Sequence, residues 1–586
     1  MSRIYRSKHQ SVQIPECSLF TYLFKEQDKL VGGWDGSIAA YVDAATGTTL
    51  TRKFIRDTAL SLGHGLLHNQ RFPLKKGDTV MVFSPNSVAF PVIFHGTVAA
   101  GMRATLANSA YTAPELEYQY KDSQAKVVFT TEEGLAIVLD MFKRIGLSPP
   151  EAAPRIIVID TGFSWAGGPH VEPSLAVTSF VSLGDLLKKG RLSEEAKFDG
   201  RNAHETVLLC YSSGTTGKPK GVETTHHNII SLIQMLPAVF PTREAEDRLL
   251  GILPLYHIYG ATKLMMLPLN LGIPMYLMTR FEPVQFCQNI EKYKITHSLI
   301  VPPVMVLLAR LPIVEKFDLS TVRILISGAA PLGDLLVKDV MNRLLALRKG
   351  KSKTPLAILQ GYGLTETSPT THMLPQPDTL RKIGSIGQLL PNLECRLVAD
   401  DEEHDVADGE PGEIWIRGPT VMKGYLNNPS ATKNSITPDK WFKTGDIAIQ
   451  DKDGYYYVVD RKKELVKYKG FQVPPAELES VLLSHPDIAD CAVIGVYDEK
   501  QATELPRAYV VHANPSSLKA EAEKIQFGSS VVRWMESRVA KHKYLRGGVV
   551  LIDAVPKSAA GKILRRELRE KAKADVAKGG DVNAKL

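Results

Sequence analysis

Cysteine is scarce in this chain. The five present, Cys17, Cys210, Cys287, Cys395 and Cys491, are far apart, odd in number and form no C-x-x-C pair. That spacing argues against a disulfide framework and against a cysteine zinc site, and fits reduced thiols in an intracellular protein. A long unbroken apolar run is also missing. The most apolar stretch, residues 249–278, is interrupted by Pro254, His257, Lys263, Pro268 and Pro274, so it reads as buried core rather than a bilayer span. The opening segment "MSRIYRSKHQSVQIPE" has no apolar centre of the kind a secretory signal carries. Nor does charge of one sign dominate. A net charge of +8 is modest for 586 residues, and the basic side chains are spread out rather than gathered in one stripe, which disfavours nucleic acid as a partner. The densest basic stretch, between Lys541 and Lys573, reads as a solvated helix face. Internal repeats and low-complexity segments are absent.

What the chain does have is ordinary globular material, 44% hydrophobic and 23% charged, at a length beyond one domain. "DTVMVFS", "AKVVFTT", "RIIVID", "TVLLCYSS", "HSLIVPP" and "VRILISG" read as strands. Helix-like stretches lie between them, such as "SVAFPVIFHGTVAAG" and Pro283 to Tyr293. This alternation predicts an α/β protein with parallel-rich sheets. After about residue 380 the strands shorten and gain Gly, Pro and Asp turns, which suggests an antiparallel β portion. Beyond Asp460 a compact α+β stretch follows, with a helix in "PPAELESVLLSHP", strands in "DCAVIGV" and "RAYVVHA", and a helix in "SSVVRWMESRVAKH". The expected division is a large N-terminal domain over 1–460, a small mobile C-terminal domain over 461–575, and a flexible tail over 576–586.

One stretch asks for a ligand. "YSSGTTGKPKG", Tyr211 to Gly221, follows an apolar strand directly and concentrates Gly214, Gly217 and Gly221 with Ser212, Ser213, Thr215, Thr216, Lys218 and Lys220. Glycines let backbone approach an anion, hydroxyls donate, and lysines bring charge. Its place after a strand puts it at the carboxyl edge of a sheet, where open α/β folds bind ligands. It departs from the Walker pattern, because Lys218 is followed by Pro219 and no helix can start there. A Ser/Gly linker would not follow a buried strand so directly.

Further motifs follow in order: "LPLYHIYG", "ISGAAPL", "QGYGLTET", "WFKTGDI", "DRKKELVKYKGFQVPPAELE" and "PKSAAGKILRREL". With them the chain resembles the adenylate-forming superfamily over about residues 30–570, above all its 4-coumarate–CoA ligase-like and luciferase-like branch. The resemblance implies an ATP-dependent acid–thiol ligase that joins a carboxylate to the α-phosphate of ATP, releases pyrophosphate, passes the acyl group to coenzyme A and releases AMP. Ser212 to Lys220 would then cradle the outer phosphates. Thr365 and Glu366 would meet the α-phosphate, with Glu366 holding Mg²⁺, since a carboxylate among phosphates needs a cation. Gln360, Gly361, Tyr362 and Gly363, with Gly328, Ala329 and Ala330, would line the adenine. Asp446 would grip the ribose hydroxyls, and Arg461 would contact the nucleotide. Lys463 takes the hinge position, and Lys562 would reach the carboxylate and α-phosphate as charge builds. Lys467, Lys469, Gly470 and Gln472 would serve coenzyme A.

The acid pocket implied by the resemblance contains His257, Ile258, Tyr259, Val304, Gly361, Gly363, Pro369 and Thr370. Its glycines leave room and its lining is largely apolar, which suits an aryl, arylalkanoic or medium-chain acid. His257 is read as a gate and hydrogen-bond partner rather than a general base. Lys263 stands where a small polar or apolar residue is common in coumarate ligases. It either pairs with a polar group on the acid or snorkels to solvent, and the reading favours solvent. A luciferase-like oxygenase, or an enzyme passing the acyl group to a carrier protein, would share most of these motifs. The terminal Ala584-Lys585-Leu586 resembles a peroxisomal address read by an import receptor; without it the chain would be cytoplasmic.

Overall fold

The computed structural model describes residues 3–212, 218–243, 245–328, 332–348, 355–469, 471–499, 501, 503–518, 520–558 and 561–577. Among the expected site residues, Ser213, Gly214, Thr215, Thr216, Gly217, Ala329, Ala330 and Gly470 lie outside these, as does the tail with Ala584, Lys585 and Leu586.

Three large sheets, with a small antiparallel one of Glu26–Gln27, Leu30–Val31 and Trp34–Asp35, build the described part of the first 461 residues. In the first, strands Val181–Ser182, Ile156–Val158, Ala125–Thr130, Thr79–Phe83, Arg103–Ala107 and Thr206–Ser212 run parallel in that spatial order. Lys220–Thr225 and Gly424–Tyr425 then close its edge antiparallel. In the second, Ala357–Gly363, Ile324–Ser327, His297–Ile300, Leu249–Gly251, Met275–Leu277 and Ala39–Asp43 run parallel, with antiparallel strands at both ends. One continuous apolar core joins the two sheets. Helix Ala89–Ala99 is buried at all eleven positions, which explains why its sequence is apolar on every face. Phe90 and Phe94 on it are fully enclosed, each contributing about 1.5–3 kcal/mol of burial. The third sheet is antiparallel throughout: Tyr5–Arg6, Glu394–Val398, Gly412–Arg417, Phe442–Gln450 and Tyr456–Arg461. The change of strand style seen in the sequence after residue 380 is this sheet.

The last strand of that sheet ends at Arg461, and the chain then enters a separate layer. Strands Ile488–Asp498 and Thr503–His512 pair antiparallel, Val549–Leu551 joins parallel, and helices Pro475–Leu482, Glu521–Glu536 and Arg565–Ala577 pack with them. This layer has apolar clusters of its own. One helix differs from the sequence reading, which placed it over Ser529 to His542. It starts at Glu521, where the Glu523 carboxylate accepts the Ala520 N–H at 2.8 Å, and it ends at Glu536, where Arg538 and Ser537 donate to the Trp534 carbonyl. Local capping sets both ends. Among the described residues no helix is long and apolar enough to cross a membrane.

Candidate active site

The loop in "YSSGTTGKPKG" connects two antiparallel strands in register, Ser212 opposite Lys220 and Tyr211 opposite Gly221. A strand therefore follows it where a Walker loop has a helix. Its base is held from three sides. The Tyr118 hydroxyl donates to the Pro219 carbonyl at 2.9 Å, and the Tyr211 hydroxyl to Asp122 at 2.6 Å. Leu426 N–H donates to the Gly221 carbonyl at 2.8 Å. Lys218 Nζ lies 5.2 Å from the Tyr118 ring centre, and Lys220 Nζ 4.6 Å from that of Tyr425, within cation–π range.

Tyr425 links this loop to Glu366. Its hydroxyl donates to Glu366 Oε1 at 2.9 Å, and the Glu366 carbonyl accepts the Met422 N–H. Glu366 sits in a single 3₁₀ turn, Thr365–Thr367, and is 8% exposed. The turn is fixed by Thr367, which donates to the Pro369 carbonyl, and by Gly363, where a Cβ would fall 1.8 Å from that same oxygen. No other residue fits at Gly363. The second Glu366 oxygen is not engaged by Tyr425. A buried carboxylate with one oxygen held and one to offer is the donor set Mg²⁺ uses beside phosphates, so Glu366 fits that ion.

Asp446 is 4% exposed at the turn-in of strand Phe442–Gln450. The Tyr362 hydroxyl donates to its Oδ2 at 2.6 Å, and Arg461 Nε lies 3.3 Å from its Oδ1. Register explains the second contact, since Asp446 and Arg461 are directly opposite across the sheet. The Tyr362 ring is thus oriented by its hydroxyl, with its phenol held well above the ordinary range by burial and by the Asp446 charge.

Lys562 completes the cluster from the C-terminal layer. Its loop is a closed turn: the Ser558 N–H donates to the Lys562 carbonyl at 2.8 Å, and the Lys562 N–H to Ser558 Oγ at 3.2 Å. Gly561 has φ +80° and lies against Val301 and Pro303, where a Cβ would sit 3.3 Å from Val301. Burial, with the positive charge of Arg461, lowers the Lys562 pKa to about 8, while the carboxylates of Asp446, Glu366 and Glu464 work against that shift. Lys562, Arg461, Asp446 and Glu366 therefore lie within electrostatic reach of one another. His257 belongs to the same group. Burial and the Lys562 charge push its pKa down to about 4. Its Nδ1 accepts the Tyr259 N–H at 3.2 Å, which leaves the proton on Nε2 as a neutral donor. A neutral donor and a nearby ammonium can both stabilise a carboxylate that is becoming attached to phosphorus, and neither has to act as a base.

The residues expected to line an acid pocket sit on these strands and helices. Tyr259 packs under Gly328, where a Cβ would be 3.1 Å from the phenol ring, and its hydroxyl donates to the Ile326 carbonyl at 3.4 Å. Ile258 is buried, Val304 lies on helix Pro302–Arg310, and Thr370 follows Pro369 on the strand paired with Gly363. Gln360 is buried beside Gly361 at the end of strand Ala357–Gly363. Lys263 does not reach solvent as the sequence reading favoured. It is 3% exposed, and burial alone lowers its pKa to about 7. The stem of a lysine allows snorkelling, but the segment around Lys263 is enclosed on every side by core.

Two groups are placed apart from this cluster. Lys463 lies exposed in the turn after Arg461. Lys467, Lys469 and Gln472 lie on the outer hairpin Val466–Tyr468 and Phe471–Val473, where Gln472 reaches toward Asp400 at 3.4 Å. The structure thus has Gly561, next to Lys562, against Val301 and Pro303, while the hairpin expected to serve coenzyme A is held to Thr503 by the Lys469 N–H at 2.8 Å. Sequence reasoning missed Tyr425, which anchors Glu366, and Arg310, whose guanidinium donates to the Ile488 carbonyl at 2.6 Å and the Leu483 carbonyl at 2.9 Å. Neither carried a signal in the sequence that pointed to these contacts.

Comparison with known proteins shows the family of the chain. Residues 35–426 match the family described as AMP-binding enzyme, and residues 477–562 its C-terminal domain. A probable 4-coumarate–CoA ligase 1 of Dictyostelium discoideum is 39% identical, covering 90% of this chain and 91% of that protein. 4-Coumarate–CoA ligase 1 of Narcissus pseudonarcissus is 35% identical, covering 98% of each. ATP-bound MatB from Rhodopseudomonas palustris superposes with a TM-score of 0.77 at 27% identity, over 95% of this chain and 99% of that one. The anthranilate CoA ligase AuaEII, solved with anthranoyl-AMP, shares the fold with a TM-score of 0.81 at 24% identity, over 97% and 99%.

Proposed function

The chain belongs to the AMP-binding, adenylate-forming enzyme family and is an AMP-forming acyl-CoA ligase; from that premise we propose that its acid is an aryl, arylalkanoic or medium-chain carboxylic acid. In the first half-reaction a carboxylate oxygen attacks the α-phosphorus of ATP. A C–O–P linkage forms, the bond from the α-phosphorus to the bridging oxygen of the β-phosphate breaks, and pyrophosphate leaves. In the second, the coenzyme A sulfur attacks the acyl carbon, the bond to the AMP oxygen breaks, AMP departs, and the thiol proton passes to solvent.

The observation that carries the reading is the convergence of Lys562, from the C-terminal domain, with Glu366, Asp446 and His257 of the N-terminal domain and with Arg461 at the boundary between them. No enzyme nucleophile is needed, because positioning and charge stabilisation suffice for this displacement. Glu366 would hold Mg²⁺, which supplies charge neutralisation at the phosphates. Asp446 would accept both ribose hydroxyls once its present partners give way, since one carboxylate can take two such bonds. Lys218 and Lys220 would hold the departing pyrophosphate. For the second half-reaction the hairpin bearing Lys467, Lys469 and Gln472 would turn inward about Lys463. The tail Ala584-Lys585-Leu586 is proposed as a peroxisomal address; a fluorescent protein carrying it should enter peroxisomes, and cytosolic fluorescence would refute that.

The test is pyrophosphate release across a panel of acids, with and without coenzyme A. Release with at least one aryl or medium-chain acid, and thioester only when coenzyme A is present, is expected. No release with any acid would overturn the proposal.

A further inference from the structure

Close in sequence to Tyr259, and buried, lies an amine with nothing to balance its charge. Lys263 is 3% exposed, and among the described residues no hydrogen bond or ion pair reaches its ammonium group. No neighbouring charge contributes to its environment; burial is the only influence recorded on it. Of the titratable groups on elements packed around this segment, His226 and His227 on helix His226–Met235 have their pKa lowered by burial, and His226 accepts the Leu19 N–H at 3.0 Å. The Tyr41 hydroxyl donates to the Met265 carbonyl, and His95 on helix Ala89–Ala99 is held neutral by burial, with a pKa near 3. Proteins seldom bury a lysine without a partner, because the desolvation cost falls on the charged form with no return. A buried, unpartnered amine therefore points to a partner that arrives from outside.

Its position says where that partner must sit. Ile258–Gly260 is one α-helical turn, and Ala261–Met266 continues it as a π-helix, a form frequent at functional sites. Tyr259 and Lys263 are four residues apart on this segment and so share a face. The Tyr259 ring packs under Gly328 in the acid pocket. Lys263 follows one turn deeper on that face. His257, at the carboxylate end, precedes it by six residues, at most about 9 Å along the segment, since its π-helical part rises less per residue than an α-helix. That is the length of a short alkyl chain, or of one aromatic ring with a side arm.

We infer that Lys263 receives a second anionic group at the far end of the substrate, making the preferred acid a dicarboxylic acid activated at one end only. The inference rests on the acid-activating reading above. One carboxylate lies beside His257 and Lys562 and attacks the α-phosphorus. The other remains unreacted, paired with Lys263. A neutral hydroxyl would leave the buried ammonium uncompensated, whereas a carboxylate cancels it and adds a charge-assisted hydrogen bond. The apolar walls between the two ends accept the body of the acid.

The experiment compares length-matched pairs in the full-length wild-type enzyme: adipate with hexanoate, suberate with octanoate, and 4-carboxyphenylacetate with 4-methylphenylacetate. Pyrophosphate release gives kcat/KM for each. The diacid should be favoured by about tenfold to a hundredfold in at least one pair, and in Lys263→Met the diacid-to-monoacid ratio of kcat/KM should fall to about one or below. The ratio of diacid to monoacid should also fall as pH rises above about 7, where free Lys263 loses its charge. Taking a ratio cancels any titration of Lys562. Monoacids favoured in every pair, or a diacid preference unchanged in a folded Lys263→Met enzyme, would overturn the inference and leave the proposed reaction standing. If the variant does not fold, the wild-type ratios and their pH dependence decide alone. Pyrophosphate release with no acid of either kind would instead overturn the proposed reaction.

Discussion

The Tyr425 hydroxyl donates to Oε1 of Glu366 at 2.9 Å, although the two residues stand 59 apart in the chain. The same Tyr425 ring lies beneath the Lys220 ammonium. One tyrosine therefore joins the base of the phosphate loop to the carboxylate proposed to hold Mg²⁺.

Tyr425→Phe keeps the ring under Lys220 and removes only the donor to Glu366. The Mg²⁺ concentration giving half-maximal pyrophosphate release should rise about three- to tenfold, the worth of one such hydrogen bond. Thioester formation from supplied acyl-adenylate should stay unchanged. An unaltered Mg²⁺ dependence would sink the link between Tyr425 and the metal.

The adenylation rate should fall as pH rises through about 8. Lys562 has its pKa lowered from the usual lysine value to about 8, so its ammonium is present below that pH and lost above it. Lys562→Arg, which stays charged, should remove that alkaline limb. Lys562→Ala should slow adenylation by about a hundredfold to a thousandfold, on the scale of losing one charge-stabilising donor. It should spare thioester formation from acyl-adenylate; equal loss in both half-reactions would contradict the role given to Lys562.

Gly561→Ala tests whether the Lys562 loop needs its backbone shape. A side chain at φ +80° costs about 1–2 kcal/mol, and the new methyl would press on Val301. Adenylation should slow about tenfold or more, with little change in the melting temperature of the N-terminal domain. Wild-type adenylation in this variant would show that the turn is dispensable.

Arg310 ties the end of the acid-pocket helix to the C-terminal domain through the Leu483 and Ile488 carbonyls. Arg310→Ala should loosen the orientation in which Lys562 faces the pocket. Single-turnover adenylation should slow about three- to tenfold, a fair loss for partly exposed hydrogen bonds. Acyl transfer to coenzyme A should hold or quicken. Slower transfer with normal adenylation would reverse the assignment of Arg310.

Much of the fold was legible because its strands are short apolar runs punctuated by Pro and Gly, and helix Pro283–Tyr293 starts and stops at the residues the sequence marked. The helix Glu521–Glu536 was misplaced because its apolar periodicity is weak, so side-chain caps at Glu523 and Arg538 decide its ends. One motif, the loop after Tyr211, stood out by its Gly, Ser, Thr and Lys, while the others were picked out through the family resemblance. What the phosphate loop runs into was not legible, since Pro219 excluded a helix without naming the strand Lys220–Thr225 that replaces it.

Resemblance to the adenylate-forming superfamily implied the set Glu366, Asp446 and Lys562; the residue types and their order determined the α/β class and the strand that delivers the glycine-rich loop. These are local or compositional properties, and covalent sequence carries them whole. Only the tertiary structure decided which charges meet. Lys562 and Lys263 are both lysines within apolar surroundings, yet the first lies among Arg461, Asp446 and Glu366 while the second has no counter-charge. A side chain's pKa and its partners depend on what lies within a few ångströms in space, and neighbours such as Tyr425 to Glu366 come from distant parts of the chain. Burial of Lys263 is decided in the same way, because a long flexible stem reaches solvent or core according to what the fold packs around it.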